Sequence, residues 1–247
     1  MPVGLTHVYN SCLSAGNPVG CGMGWRTSMH QYVNRRTLGG NNYYVWTDGS
    51  ATEHYFMISG SQPYADCEGM NLKLTTSGNV LSIVDKGHNR MEFSVPSDGT
   101  QQPMLRAYDA VGNTAALSYE NGLLTKITDG VGRKIAFEYN SENLLSQLII
   151  PGSPTLTFTY AGETLTGINY ADVTSGGTTF TYEADSNLLK VAKNFDGNQV
   201  EIGFEADGAR LLTDGGGEIY VAGTDEENGQ RITALVRVDL QTGKATL

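Results

Sequence analysis

Residues 119–139 read YENGLLTKITDGVGRKIAFEY, residues 139–160 YNSENLLSQLIIPGSPTLTFTY, residues 160–182 YAGETLTGINYADVTSGGTTFTY and residues 182–204 YEADSNLLKVAKNFDGNQVEIGF. Each block runs from one aromatic residue to the next: Tyr119, Tyr139, Tyr160, Tyr182, Phe204. A period of about 20 to 22 residues is that of stacked supersecondary units. The blocks share a grammar. A few small, polar or acidic residues follow the aromatic. Then comes an apolar pair or its remnant: Leu123-Leu124, Leu144-Leu145, Thr164-Leu165, Leu188-Leu189. A short strand, a turn and a returning strand complete the block.

The returning strands alternate. Ile135, Phe137 and Tyr139 point one way, and Lys134, Ala136 and Glu138 the other. Leu156, Phe158 and Tyr160 do the same, as do Phe180 and Tyr182, and Val200, Ile202 and Phe204. A period of two marks a strand with one buried face. Turns are predicted at Asp129-Gly130, Pro151-Gly152, Gly176-Gly177 and Asp196-Gly197, where glycine would supply positive φ. The expected fold is all-β: consecutive antiparallel β-hairpins in a curved or spiral sheet, each burying its aromatic face against its neighbours.

The segment YDAVGN (108–113), followed by GLLTKITDGVGRKIAFEY, resembles the tyrosine-aspartate repeats of Rhs and wall-associated bacterial proteins, shared by teneurins. The dipeptide stands intact at Tyr108-Asp109. Elsewhere it reads Tyr119-Glu120, Tyr139-Asn140, Tyr160-Ala161, Tyr182-Glu183 and Phe204-Glu205. Residues 1–40 resemble the lead-in of such regions, through THVYNS (6–11) and the Gly22-Met23-Gly24-Trp25 run. The resemblance divides the chain into an N-terminal lead-in, residues 1–69, and a degenerate repeat array, residues 70–247. These are expected to form one continuous domain, and a piece of a longer polypeptide.

Composition sets the bounds. The chain has 247 residues, enough to bury a full core. Its 31 glycines suit many tight turns, and its 13 tyrosines suit sheet faces. Net charge is −10 with 16 Lys plus Arg and no basic cluster, which argues against nucleic acid as a partner. No apolar run reaches membrane-spanning length, and Met1-Pro2-Val3-Gly4 carries no secretory signal. Cys12, Cys21 and Cys67 lack the paired spacing of zinc ligands. A Cys12–Cys21 disulfide and three reduced thiols both fit the count.

Trp25 follows a glycine-rich loop and reads as an indole packed under the first hairpins, with stacking on a sugar as the alternative. Residues 43–57 read as a hairpin around Asp48-Gly49, rich in aromatics on both faces. If one face is open, Tyr43, Trp46 and Tyr55 are the best candidates for a glycan or protein contact. Residues 58–69 are loop-like. Residues 70–95 form an early, degenerate repeat, and residues 96–103 break the pattern with two prolines. Beyond Phe204, strands are expected at Ile219–Ala222 and Ile232–Leu240 around an acidic loop at 225–229. A last strand left unpaired would favour self-association through its edge.

No catalytic constellation stands out. His7, His30, His54 and His88 are scattered, and HExxH, GxSxG and P-loop motifs are absent. Asp109, Asp129, Asp172, Asp196 and Asp207 fall in expected turns, where aspartates serve backbone N–H groups. Calcium lacks its D-x-D-x-D-G loop. No metal or cofactor is therefore expected.

The resemblance implies an arc of a secreted or surface shell. Its spiral sheet would enclose a C-terminal toxin or effector, so its partners would be further repeats and that effector, all in one polypeptide. A non-catalytic scaffold is the preferred reading. A glycan-binding module working through exposed aromatics is the second, and a β-rich hydrolase the third. Packed aromatic faces favour the first, exposed rings along a groove the second, and a close pair of buried carboxylates in a pocket the third.

Overall fold

The structure, a computed structural model, describes residues 4–13, 15–171, 177–184, 186–194, 197–204, 210–213, 218–227, 230–239 and 244–246. Asp172, Gly176, Asp196, Asp207 and Gly215–Gly217, expected in turns, lie outside these residues. The chain divides into two compact units, Met1–Thr155 and Leu156–Leu247.

The first unit holds β1 (His7–Tyr9), β2 (Trp25–Thr27), β3 (Tyr32–Leu38), β4 (Asn41–Thr47), β5 (Glu53–Met57), β6 (Tyr64–Ala65) and β7 (Lys73–Ser77). It continues with β8 (Val80–Val84), β9 (Arg90–Ser94), β10 (Gln101–Tyr108), β11 (Thr114–Glu120), β12 (Leu123–Asp129), β13 (Lys134–Tyr139) and β14 (Leu145–Ile149). Strands β1 and β2 form a separate two-stranded hairpin. The second unit holds β15 (Leu156–Ala161), β16 (Thr164–Tyr170), β17 (Thr178–Tyr182), β18 (Leu189–Lys193), β19 (Gln199–Phe204), β20 (Arg210–Thr213), β21 (Glu218–Glu227), β22 (Gln230–Asp239) and β23 (Lys244–Thr246). The fold is all-β, and within each unit consecutive strands from β3 on pair antiparallel. The expected acidic loop is shorter than its sequence suggests: Asp225–Glu227 pair with Gln230–Ile232 inside the β21–β22 hairpin.

Within the first unit, β10 is a junction. One edge carries β9. On the other, Gln101–Pro103 pair with Tyr32–Asn34 of β3, and Arg106–Tyr108 pair with Thr114–Ala116 of β11. Cross-strand partners share a face. The registers Val33↔Trp46, Tyr44↔Phe56, Leu74↔Ile83, Leu81↔Phe93 and Phe93↔Met104 therefore collect these side chains in rows, and all are buried. A single bridge, Phe56↔Asp66, links β5 to β6.

The turns correct one expectation. At Asp129 the positive φ falls on Gly132, not Gly130, and at Asp48 it falls on Ala51, not Gly49. The loop is a three-residue connection, a type I turn followed by a left-handed residue. Asp109 shows the pattern: its carbonyl accepts the Gly112 N–H, its N–H donates to Asn113 O, and its Oδ1 accepts the N–H groups of Val111 and Asn113. Asp48, Asp129 and Asn140 use their side-chain oxygen in the same two ways. Asp85 and Asn194 cap the N–H four residues on. The aspartate of the Tyr-Asp dipeptide is thus a turn cap, and Asn140 fills the same role through its Oδ1. Gly49 is needed for a different reason: a Cβ there would lie 2.5 Å from Ser28 O.

The repeat aromatics do more than fill the sheet. The ladder shifts register at Ser118/Tyr119, Glu138/Tyr139, Thr159/Tyr160 and Thr181/Tyr182, so a bulge recurs at the same point of every block. Opposite each stands the second member of the apolar pair, Leu124, Leu145, Leu165 and Leu189, and all four are buried. Tyr119 Oη donates to Met104 O at 2.9 Å, Tyr139 Oη to Leu124 O at 2.9 Å and Tyr182 Oη to Leu165 O at 2.5 Å. Every one of these acceptors sits at an earlier register shift. The ring fills space and its hydroxyl satisfies a carbonyl beside the preceding irregularity. Tyr119→Phe and Tyr139→Phe are each expected to lose about 1–2 kcal/mol in urea unfolding, because a half-hidden carbonyl loses its donor. Losses near zero would mean water takes the hydroxyl's place.

Candidate functional site: the lead-in pocket and the aromatic hairpin

The aromatic hairpin is β4–β5. Trp46 is only 8% exposed. It packs on His54 with ring centroids 4.8 Å apart, and its indole N–H donates to Gln31 Oε1 at 3.0 Å. Trp25 is 6% exposed, stacked on His7 at 4.7 Å and tilted against Tyr9. Neither indole offers an open face for stacking, so the reading of Trp46 and Trp25 as exposed contacts does not fit their burial. Tyr43 and Tyr55 are half-buried and meet edge to face at 6.0 Å. Tyr55 Oη donates to Glu53, which also takes both Nη groups of Arg36. Arg36 and Tyr55 hold the Glu53 carboxyl below its usual range against the opposing effect of burial.

His54 is buried between two carboxylates, Glu68 at 2.8 Å from Nδ1 and Asp48 at 3.3 Å from Nε2. Burial alone would raise the Asp48 pKa, but hydrogen bonds from Ser50, Thr52 and His54 lower it. Asp48 is therefore spent on its turn and on orienting His54.

A groove of about 530 Å³ includes Asp66, Lys73, Asp85, Lys86 and His88. Its two aspartates are structural. Asp66 accepts N–H groups of Glu68, Met70 and Leu72, and Asp85 caps its turn. Both are held below the usual carboxylate range, which is the wrong direction for a general acid.

The lead-in builds a second cavity, about 310 Å³, walled by Leu13, Pro18, Val19, Arg26, His30, Gln31, Tyr32, Gln101, Pro103, Tyr119 and Gly122. Two glycines seat this segment. Gly24 takes φ +77° where a Cβ would strike the Tyr9 ring. Gly20 takes φ +72° with Asn143 O only 2.5 Å from a built Cβ, and its carbonyl accepts the Leu145 N–H. The lead-in is thereby fixed to the β13–β14 turn.

Arg26, 2% exposed, donates through Nη2 to His30 O, and its guanidinium lies 5.9 Å from the Tyr32 ring centroid. Its Nε–H has no partner. Among the described residues no carboxylate is in ion-pair contact with it; Asp48 acts only at a distance. His30, 6% exposed, accepts the Thr27 N–H at Nδ1, 3.0 Å, which assigns the ring proton to Nε2, and that Nε2 is also unpartnered. Burial, then Arg26, then His7 lower the His30 pKa to about 3. Burial lowers His7 to about 4. Cys21 is a free, fully buried thiol raised to about 12 by its burial, which removes the Cys12–Cys21 disulfide alternative.

Sequence reading missed this cluster because it counted histidines one by one. The signal was local: Trp25-Arg26-Thr27 and His30 lie within six residues, in a segment whose glycines force tight turns. Among the described residues, no group of three or more His, Cys, Asp or Glu could hold a metal ion, and no helix is long and apolar enough to cross a membrane. No protein-family model matches the chain, and no curated protein matches it.

Proposed function

We propose that the chain is a structural scaffold, an arc of hairpins that encloses or presents another part of its own polypeptide in the manner of the tyrosine-aspartate repeat proteins it resembles. The observation that carries this reading is the bonding of three repeat tyrosines to carbonyls at earlier register shifts. That device joins hairpin to hairpin and spends the conspicuous aromatics on the sheet. The aspartates of the groove at Asp66 and Asp85 cap backbone N–H groups, which weighs against the hydrolase reading. Secretion or surface display belongs to the same proposal. The test is limited proteolysis of the full natural polypeptide. The segment following this chain is expected to survive at least tenfold longer than when it is expressed alone. Equal lifetimes would contradict enclosure.

The half-exposed pair Tyr43–Tyr55 keeps a glycan contact as the second reading. Retention on cell-wall polysaccharide that disappears in Tyr43→Ala with an unchanged Tm would favour it over the scaffold.

A further inference from the structure

We infer that one rim of the first unit docks on a lipid bilayer, with Val111 and Val131 as the side chains that enter it. Strands that pair antiparallel in chain order place their connections alternately at two ends, so the β8–β9, β10–β11 and β12–β13 turns share a rim. Two of these turns carry valine at the same place, two residues after the capping aspartate. Val111 is 84% exposed and Val131 79%, whereas no other exposed large apolar side chain among the described residues exceeds 46%. A single exposed valine is ordinary. Here one turn geometry, used twice on one rim, sets both at its tip.

The tips are built to project. Each valine N–H donates to its aspartate's Oδ1, at 3.1 and 3.0 Å, which fixes the loop before anything binds. A Cβ at Gly112 or Gly132 would meet nothing within 4 Å, so the tips stand clear of their neighbours. The carboxylates turn back: Asp85, Asp109 and Asp129 accept N–H groups of their own loops, and the Asp129 side chain is 8% exposed while that of Arg133 is 66% exposed. Arg133 and the exposed Lys86 of the same rim suit headgroup phosphates.

Area selects the occupant. Turns two strands apart stand about 10 Å from each other. Two valine side chains bury on the order of 200 Å², far below the roughly 1,200 Å² of a stable protein interface. Separate tips also give a second copy of the chain no groove or flat face to match. A bilayer closes round each tip without shape complementarity and takes apolar groups about 5–10 Å deep. With net charge −10 the chain gains no long-range attraction from anionic lipid, so a zwitterionic surface fits it.

The test floats the full chain with phosphatidylcholine vesicles in a density gradient. The unsubstituted chain is expected to float, with half-maximal binding at roughly millimolar lipid, because two valines hold more weakly than a myristoyl chain. Val111→Asp with Val131→Asp should bind at least about tenfold more weakly at an unchanged Tm. Depth is read with Val131→Trp, since Trp25 and Trp46 are buried and the new indole carries the change. Its emission should shift to the blue on adding vesicles, and that of Val80→Trp, in the β7–β8 hairpin at the opposite rim, should not. A chain that does not float, or one that floats equally well with both aspartates, would overturn the proposal. So would equal shifts at the two tryptophan positions. A blue shift that grows with protein concentration in the absence of vesicles would also overturn it, by giving the rim to a second copy.

Discussion

Lowering the pH from 6.5 to 5 is expected to destabilise the first unit by about 3 kcal/mol, a fall in Tm of roughly 10 °C. The cause is the pair His7 and His30, buried neutral with folded pKa values of about 4 and about 3. An unfolded histidine titrates near 6.5. Below that pH the unfolded chain binds protons that the folded chain refuses, so stability rises with pH and is lost as pH falls. The loss continues until the folded values are reached. The capping aspartates act in the same direction but lower down. Their folded pKa values are depressed, so their contribution is intact above the unfolded carboxylate range and drains away below about pH 4. The interval from 6.5 to 5 therefore isolates the histidines. His7→Phe, which keeps a ring stacked on Trp25, is expected to remove about half of the slope. An unchanged slope in that variant would show that His7 takes up its proton alike in the folded and the unfolded chain.

Phe93→Ala is expected to cost about 3 to 5 kcal/mol in urea or thermal unfolding. Phe93 is fully buried and sits in register between Leu81 and Met104, so truncation opens a cavity lined by side chains on three strands. Val111→Ala is the control. Val111 is 84% exposed at the tip of the Asp109 loop, and its loss should change stability by less than about 0.5 kcal/mol. A loss below about 1 kcal/mol for Phe93→Ala would mean that the rows of cross-strand partners do not form a packed core.

Much of this fold was legible because hairpin arrays write their period into the sequence. The interval between Tyr119, Tyr139, Tyr160, Tyr182 and Phe204 and the apolar pairs between them locate the strands. The second residue of each pair proves to be buried, and at Leu144-Leu145 the first is buried as well. Turn geometry was less legible. Asp129-Gly130 looks like a two-residue turn, yet the chain runs three residues beyond Asp129 before pairing again, and Gly132 takes the left-handed conformation. A dipeptide match cannot separate these, because both loop types want Asp and Gly close together. The hydroxyl role of the tyrosines was hidden as well, since Phe204 satisfies the same spacing without one. Burial of Trp46 and Trp25 depended on the lead-in: Gln31 reaches the Trp46 indole from there, and His7 and Tyr9 flank Trp25. Arg26 and His30 could not be placed together in a cavity because Pro103, Tyr119 and Gly122, distant in sequence, supply part of its walls.

The hairpin-to-hairpin bonding is tested most directly by NMR on the hydroxyl protons of Tyr119, Tyr139 and Tyr182. The account requires slowly exchanging hydroxyl signals for these residues, with cross-peaks linking Tyr139 to Leu124 and Tyr182 to Leu165. Hydroxyl protons that exchange as fast as those of free tyrosine, without those cross-peaks, would contradict it.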